Sequence, residues 1–182
     1  MARLYLVRHG KAAAGWGADA DPGLDEIGRN QAEQMAQGLV GLGPLPLIAS
    51  PLRRTRETAA PLERLWSVTA GIEPRIAEIP APAERLAERA EWLSTVMQQH
   101  WSALDTSLRA WRQALLETLA GYRADSVLVS HFIAINVAVG HALGDERVVC
   151  FRPENASCTV IETEGMAFRV IERGAEGASR VL

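Results

Sequence analysis

The sequence predicts an α/β layered fold built as one domain. Short apolar runs rich in β-branched residues alternate with helical patterns along the chain, which is the signature of layered helices and strands. Several of those runs break off sharply into residues suited to an anion. The third observation is size, since 182 residues suffice for one full hydrophobic core.

The first strand is Leu4-Tyr5-Leu6-Val7, and it stops at Arg8-His9-Gly10. In open α/β sheets, ligands bind beyond the carboxyl ends of strands. Arg8 offers a fork of donors that suits a phosphate, and His9 offers a ring nitrogen that can attack or take a proton. Gly10 lets the turn bend and a ligand come close. Ala12 to Gly23 reads as a loop closed by Pro22-Gly23. Trp16 within it either lines a pocket mouth or packs onto the surface. A helix follows from an Asp25 N-cap, with Ile27, Ala32, Met35, Ala36 and Leu39 as its apolar face, and ends at Gly41-Leu42-Gly43-Pro44.

Leu45 to Ala49 is the second strand. It turns at Ser50-Pro51 into a helix that Ser50 can cap, with Arg53, Arg54 and Arg56 in the first turn. Cations there oppose the helix dipole. Either an anionic ligand relieves the conflict, using the unpaired N–H groups as well, or the three arginines simply face water. Ile72 to Ile79 reads as a third strand with Glu78 near its end, although Pro74 marks it as an edge. Ala83 to Gly121 is helical with a break near His100 to Thr106. Its tryptophans read as packing residues and His100 as solvated. Ser126 to Val129 is a buried fourth strand ending in Ser130-His131, followed by a helix from Phe132 to Leu143. Two strands, Cys158 to Glu162 and Met166 to Ile171, close the domain over residues 1–173, and residues 174–182 form a small polar tail expected to fray.

A formal net charge of −3 gives no reason to expect nucleic acid or an anionic membrane as partner. Cys150 and Cys158 have no metal-ligand spacing and read as free thiols of a reducing compartment. The most apolar stretch, Val127 to Leu143, is interrupted by His131, Asn136, Gly140 and His141, which suits a strand-turn-helix unit better than a membrane span. No basic-then-apolar signal pattern opens the chain, so the expected location is the cytoplasm. The sequence carries no reading of oligomeric state.

If the first, second and fourth strands run parallel, Arg8, His9, Arg54 and His131 converge on one sheet edge with Glu78. The ordered motifs Leu6-Val7-Arg8-His9-Gly10, Leu24-Asp25-Glu26-Ile27-Gly28-Arg29-Asn30-Gln31-Ala32, Ser50-Pro51-Leu52-Arg53-Arg54-Thr55-Arg56-Glu57-Thr58, Val129-Ser130-His131 and Asn155-Ala156-Ser157 resemble the histidine phosphatase superfamily, also called phosphoglycerate mutase-like. The resemblance runs from residue 4 to about 162. It implies a three-layer α/β/α sandwich with a mostly parallel central sheet. It also implies His9 as the nucleophile that becomes phosphohistidine, Arg8 and Arg54 as phosphoryl-binding arginines, and His131 as a donor to a phosphoryl oxygen. Glu78 resembles the acid that protonates the leaving oxygen, with Glu73 and Glu84 as nearby competitors. The pattern selects Arg54 over Arg53 and Arg56, which are expected to face outward.

Three departures stand out. Lys11 replaces the usual Glu or Gln after Arg-His-Gly, Phe132 replaces the Gly after the second histidine, and Pro80-Ala81-Pro82 follows Glu78 in place of a Gly-rich stretch. The expected activity is metal-independent, cofactor-free hydrolysis of a phosphomonoester, on a small phosphorylated molecule or a phosphoprotein. The alternatives are a phosphohistidine protein phosphatase, a phosphoglycerate mutase-type phosphotransferase and a catalytically silent phosphate-binding protein.

Overall fold

A computed structural model describes residues 1–15, 18–81 and 86–177. Trp16, Glu84 and the last five residues of the predicted tail lie outside them. The elements are β1 (Ala2–Arg8), α1 (Glu26–Leu39), β2 (Leu47–Ala49), α2 (Arg53–Trp66), β3 (Gly71–Ile72), α3 (Leu86–Val96), α4 (Thr106–Ala120), β4 (Ser126–Ser130), α5 (Phe132–Leu143), β5 (Cys158–Glu164) and β6 (Ala167–Glu172). The six strands form one sheet in the order β3-β2-β4-β1-β5-β6. β1 to β4 run parallel, and β5 and β6 are antiparallel additions.

Side-chain alternation splits the core into two layers, because successive residues of a strand point to opposite faces. Leu4, Leu6, Leu128 and Ile161 join Leu93, Leu115, Leu119 and Ile133 on the face covered by α3, α4 and α5. Val7, Leu47, Ala49, Val127 and Val129 join Met35, Ala36, Ala59 and Leu62 on the face covered by α1 and α2. β4 is buried along its whole length, as its run of Val and Leu requires. Helices on both faces of a mostly parallel sheet make the three-layer sandwich. Trp66 and Trp101 are core residues, and His100 is an exposed residue at the α3–α4 break.

Several local expectations need correction. The third strand is Gly71–Ile72 alone. Pro74 has no N–H for a ladder and a φ suited to a helical turn, so Pro74–Ile76 forms a 3₁₀ turn and Glu78 sits in the loop after it. Helix α1 starts at its Asp25 cap, with Asp25 Oδ1 accepting from Gly28 N at 2.7 Å, but Ile27 is exposed. Its buried face is Gly28, Ala32, Met35 and Ala36, and Gly28 packs tightly on the turn that follows β1. Helix α2 begins two residues after Pro51, with Leu52 as its N-cap. Residues 174–177 are tied down, with Glu154 N donating to Ala175 O at 2.8 Å and Gly177 N to Arg152 O at 3.2 Å.

Candidate active site

The turn after β1 is fixed from three sides. Gly10 N donates to Thr58 Oγ1 of α2 at 2.9 Å. Helix α1 sits directly on the turn: a Cβ at Gly10 would lie 2.5 Å from Gly28 O, and one at Gly28 would overlap Lys11 O. The space beside Gly10 therefore belongs to α1 rather than to a ligand. The late loop before β5 closes the third side. Asn155 Nδ2 donates to His9 O at 3.0 Å, Ala156 N to Arg8 O at 2.9 Å, and Arg8 Nη1 to Pro153 O at 2.8 Å. Ala156 takes the left-handed region at φ 58° to reach that position. Lys11 turns outward and pairs with Asp25 at 2.8 Å, so this departure from the family pattern bears on the surface.

The parallel register, with Arg8 opposite Ser130 and Ala49 opposite Val129, brings the ends of β1, β2 and β4 level. Arg8, His9, Arg54 and His131 meet there, all buried. Arg54 bridges the two rings: its Nε donates to His9 Nε2 and its Nη2 to His131 Nδ1, both at 3.2 Å. The ring centroids lie 5.2 Å apart in an edge-to-face arrangement. His9 Nδ1 lies 2.7 Å from Gly10 O, which only a protonated nitrogen can satisfy, so Nε2 carries the lone pair and turns it to Arg54 Nε. Burial, then the charges of Arg54 and Arg8, hold the His9 pKa well below the ordinary imidazole value. The same causes, with His9 added, depress His131. Both rings are neutral near pH 7.

Arg53 and Arg56 are exposed, and only Arg54 of the three turns inward. Asp21 Oδ1 accepts from Arg53 N at 2.8 Å, and Glu57 takes Arg53 Nε at 2.6 Å. Protein carboxylates thus relieve the cation–dipole conflict at the start of α2 and occupy the Arg53 N–H. Ser50 does not serve chiefly as a cap. Its Oγ is 3.4 Å from Leu52 N but 2.6 Å from His131 Nε2 and 2.9 Å from Thr55 Oγ1. With Nδ1 accepting from Arg54, His131 Nε2 is the protonated nitrogen and donates to Ser50. A further proton on Nδ1, or a shift of the ring proton from Nε2 to Nδ1 with the Ser50 hydroxyl turning to donate to Nε2, makes Nδ1 a donor toward the pocket.

Glu78 reaches the same pocket from its loop. Its carboxyl oxygens accept from Ile79 N at 3.0 Å and Ile133 N at 3.2 Å, so it caps the start of α5 from outside that helix. Burial raises its pKa above the ordinary value and outweighs the opposing backbone N–H groups, Arg54 and Arg8. Ser130 Oγ, donating to Ile76 O at 2.7 Å, ties this loop to β4. Glu73 is occupied elsewhere, capping its own 3₁₀ turn and pairing with Arg75 at 2.7 Å. Phe132 supplies a ring 5.0 Å below the Arg8 guanidinium, a cation–π contact in the core. Burial lowers the Arg8 pKa to about 10, which leaves it charged near pH 7.

Sequence reasoning missed Ser50 as partner of His131 and Phe132 as the platform under Arg8. It also missed Asn136, whose Oδ1 accepts from Cys150 N and Phe151 N at 2.8 and 3.1 Å and shapes the approach to Pro153. A buried Asn in an otherwise apolar helix was the available signal. Cys150 and Cys158 are free thiols, and burial pushes Cys158 up to about 12. Among the described residues no group of three or more His, Cys, Asp or Glu side chains is placed to hold a metal, and no helix is long and apolar enough to cross a membrane.

Fold and site together define a class: an α/β sandwich gathering two histidines, two arginines and a carboxyl group at the carboxyl edge of its parallel strands, an arrangement suited to a tetrahedral oxyanion. The chain belongs to the histidine phosphatase superfamily (branch 1), whose family model matches residues 4–175. It is 31% identical over 123 residues to a protein of Erwinia tasmaniensis named probable phosphoglycerate mutase GpmB, a match covering 64% of this chain and 51% of that protein. The protein of the same name from Photorhabdus laumondii is 29% identical over 167 residues, covering 79% of this chain and 76% of that one. Among solved structures, a mycobacterial glucosyl-3-phosphoglycerate phosphatase with VO3 superposes with a TM-score of 0.75 at 22% identity, covering 97% of this chain and all of that one. A protein of Thermus thermophilus gives 0.67 at 26% identity, covering 95% of this chain and 99% of that one.

Proposed function

We propose that the protein is a phosphatase that hydrolyses a phosphomonoester through a phosphohistidine on His9, without a metal. The observation that carries this reading is the state of His9. Its Nδ1–H is fixed on Gly10 O, and its neutral Nε2 meets Arg54 Nε at 3.2 Å within the field of Arg54 and Arg8. A phosphomonoester dianion resists attack, so the site must neutralise its oxygens and hold the nucleophile in line. Arg8 and Arg54 match its two negative charges, and a phosphoryl oxygen seated between the rings takes over the Arg54 N–H groups that now rest on them. His131 donates through Nδ1 to a phosphoryl oxygen.

In the first step His9 Nε2 forms a bond to phosphorus as the ester P–O bond breaks, and Glu78 gives its proton to the leaving alkoxide oxygen. In the second step water attacks phosphorus, the P–N bond breaks, and Glu78 takes back a proton. The raised Glu78 pKa suits the first role.

Glu78 and Arg54 line a cavity of about 180 Å3, below the ~300–1,000 Å3 usual for drug-sized ligands, which favours a small substrate. The mutase names of the relatives support a second reading, in which the phosphoryl group returns to another hydroxyl instead of to water. Brief mixing with substrate followed by a denaturing quench tests the shared step. The expected result is an acid-labile phosphoryl group on the wild type and none on His9→Ala. Turnover without such an adduct, or an active His9→Ala, overturns the proposal. Release of inorganic phosphate from an acceptor-containing reaction separates phosphatase from mutase.

A further inference from the structure

Behind His131 runs a chain of hydrogen bonds through Ser50 and Thr55, and all three residues are fully buried. His131 Nε2 lies 2.6 Å from Ser50 Oγ, and Ser50 Oγ lies 2.9 Å from Thr55 Oγ1. Thr55 Oγ1 in turn lies 2.6 Å from Leu52 O and 2.9 Å from Ser50 O. The mechanism given above does not use Thr55. Each hydroxyl has one proton to give, so the direction of the chain can be counted.

In the free site Arg54 Nη2 donates to His131 Nδ1, so the ring proton sits on Nε2. Ser50 Oγ accepts that proton, the Ser50 proton points to Thr55 Oγ1, and the Thr55 proton points to a carbonyl. Every contact then holds one proton. A tetrahedral oxyanion that takes over the Arg54 N–H needs a donor at Nδ1 instead. The reversed chain supplies one: Thr55 donates to Ser50, Ser50 donates to Nε2, and Nδ1 carries the ring proton. Every contact again holds one proton. Leu52 O is not stranded by the reversal, because it also accepts from Thr55 N at 3.1 Å and Arg56 N at 3.2 Å.

Thr55 is what makes both directions possible. Without its hydroxyl, the buried Ser50 proton has no acceptor in the free site, since the other partners of Ser50 Oγ there, His131 Nε2 and Leu52 N, are both donors. A second proton on the ring is the competing route to a donor at Nδ1. Burial and the neighbouring arginines, which hold His131 well below the ordinary imidazole value, oppose it.

We propose that Thr55 is a positioning residue, whose hydroxyl turns between Leu52 O and Ser50 Oγ and so lets a neutral His131 accept from Arg54 in the free site and donate to a bound tetrahedral oxyanion. One proton is taken up from solvent at Nδ1 and one is returned to solvent from Nε2, so the ring carries a single proton in each state. This rests on the reading of the pocket as the phosphoryl site.

Ring-nitrogen NMR of His131 tests it, with sulfate as the ligand. Sulfate is a tetrahedral dianion that brings no proton of its own near neutral pH. The wild type should carry the ring proton on Nε2 when free and on Nδ1 when sulfate is bound. Thr55→Val, close in shape but lacking the hydroxyl, should lose the single Nε2–H form in the free protein. It should also lower kcat on propyl phosphate by up to about 10-fold, the range of one neutral hydrogen bond. Thr55→Ser should restore both.

Any other wild-type pattern, including a doubly protonated ring with sulfate bound, overturns the proposal and leaves the phosphatase reading intact. So does a Thr55→Val variant with the wild-type spectrum or full activity, or a Thr55→Ser variant without the wild-type spectrum. Failure of the wild type to bind either sulfate or inorganic phosphate overturns both.

Discussion

Replacing Glu78 by Gln separates the chemical role of this carboxyl group from its structural one. Oε1 lies 3.0 Å from Ile79 N and 3.2 Å from Ile133 N, with Oε2 also 3.2 Å from Ile133 N; an amide oxygen in the place of Oε1 accepts both bonds once the NH2 group turns clear of Ile133 N. The cap on α5 therefore survives, and at a pH below the ordinary glutamate value of 4.5, where the carboxyl is protonated in both states, stability should change by less than about 1 kcal/mol. What disappears is the transferable proton. An alkyl phosphate, whose leaving oxygen needs that proton, should slow by roughly 10²–10⁴-fold, and an aryl phosphate with an acidic leaving group far less.

The pH dependence of stability gives an independent reading. Because burial raises the folded-state pKa above 4.5, the folded protein keeps a proton that the unfolded chain has lost. Wild-type stability should fall with rising pH from near that unfolded value until the folded carboxyl ionises, by up to about 1.4 kcal/mol per pH unit. Glu78→Gln lacks this decline and should gain on the wild type across the same window. Steady-state kinetics on both ester types, with urea unfolding at several pH values, checks both halves. Equal losses on alkyl and aryl esters would assign Glu78 to binding, and no loss on either would refute its role as acid.

Two further outcomes follow from the same pocket. Arg54→Ala should cost on the order of 10³-fold or more in rate, while Arg53→Ala and Arg56→Ala, both exposed, should change it little; comparable losses at all three would mean that the inward register is wrong. Ser50→Ala leaves His131 Nε2 without its buried partner and should lower kcat about 10-fold, the value of one neutral hydrogen bond, with a changed ring-nitrogen NMR signature of His131 and recovery in Ser50→Thr; a fully active Ser50→Ala with an unchanged signature would refute the positioning.

Much of this was legible in the sequence because apolar runs that stop abruptly mark both a buried strand and the place where it meets solvent. β1 and β4 announce Arg8, His9 and His131 in that way, and the resemblance to the family picks Arg54 from its neighbours in α2. The strand around Glu78 was not legible, because Pro74 converts an apolar run into a 3₁₀ turn and the carboxyl group arrives from a loop. Pairings such as Ser50 with His131, 81 residues apart, leave no periodicity to read. The face of α1 was misjudged at Ile27 because the contact is set by Gly28, a residue that contributes no hydrophobicity.

The clasp on the β1 turn also governs when the site can exist. Arg8 and His9 emerge first, yet they are held by Pro153 and Asn155, 145 and 146 positions later in the chain. Closing so long a loop precedes any reward from the contact, so His9 is fixed only as the domain completes. Until residues 153–155 are in place, His9 and Arg8 lack these two holds. Fragments ending before the clasp should be inert toward phosphate esters, and adding the missing segment in trans should restore structure and turnover together.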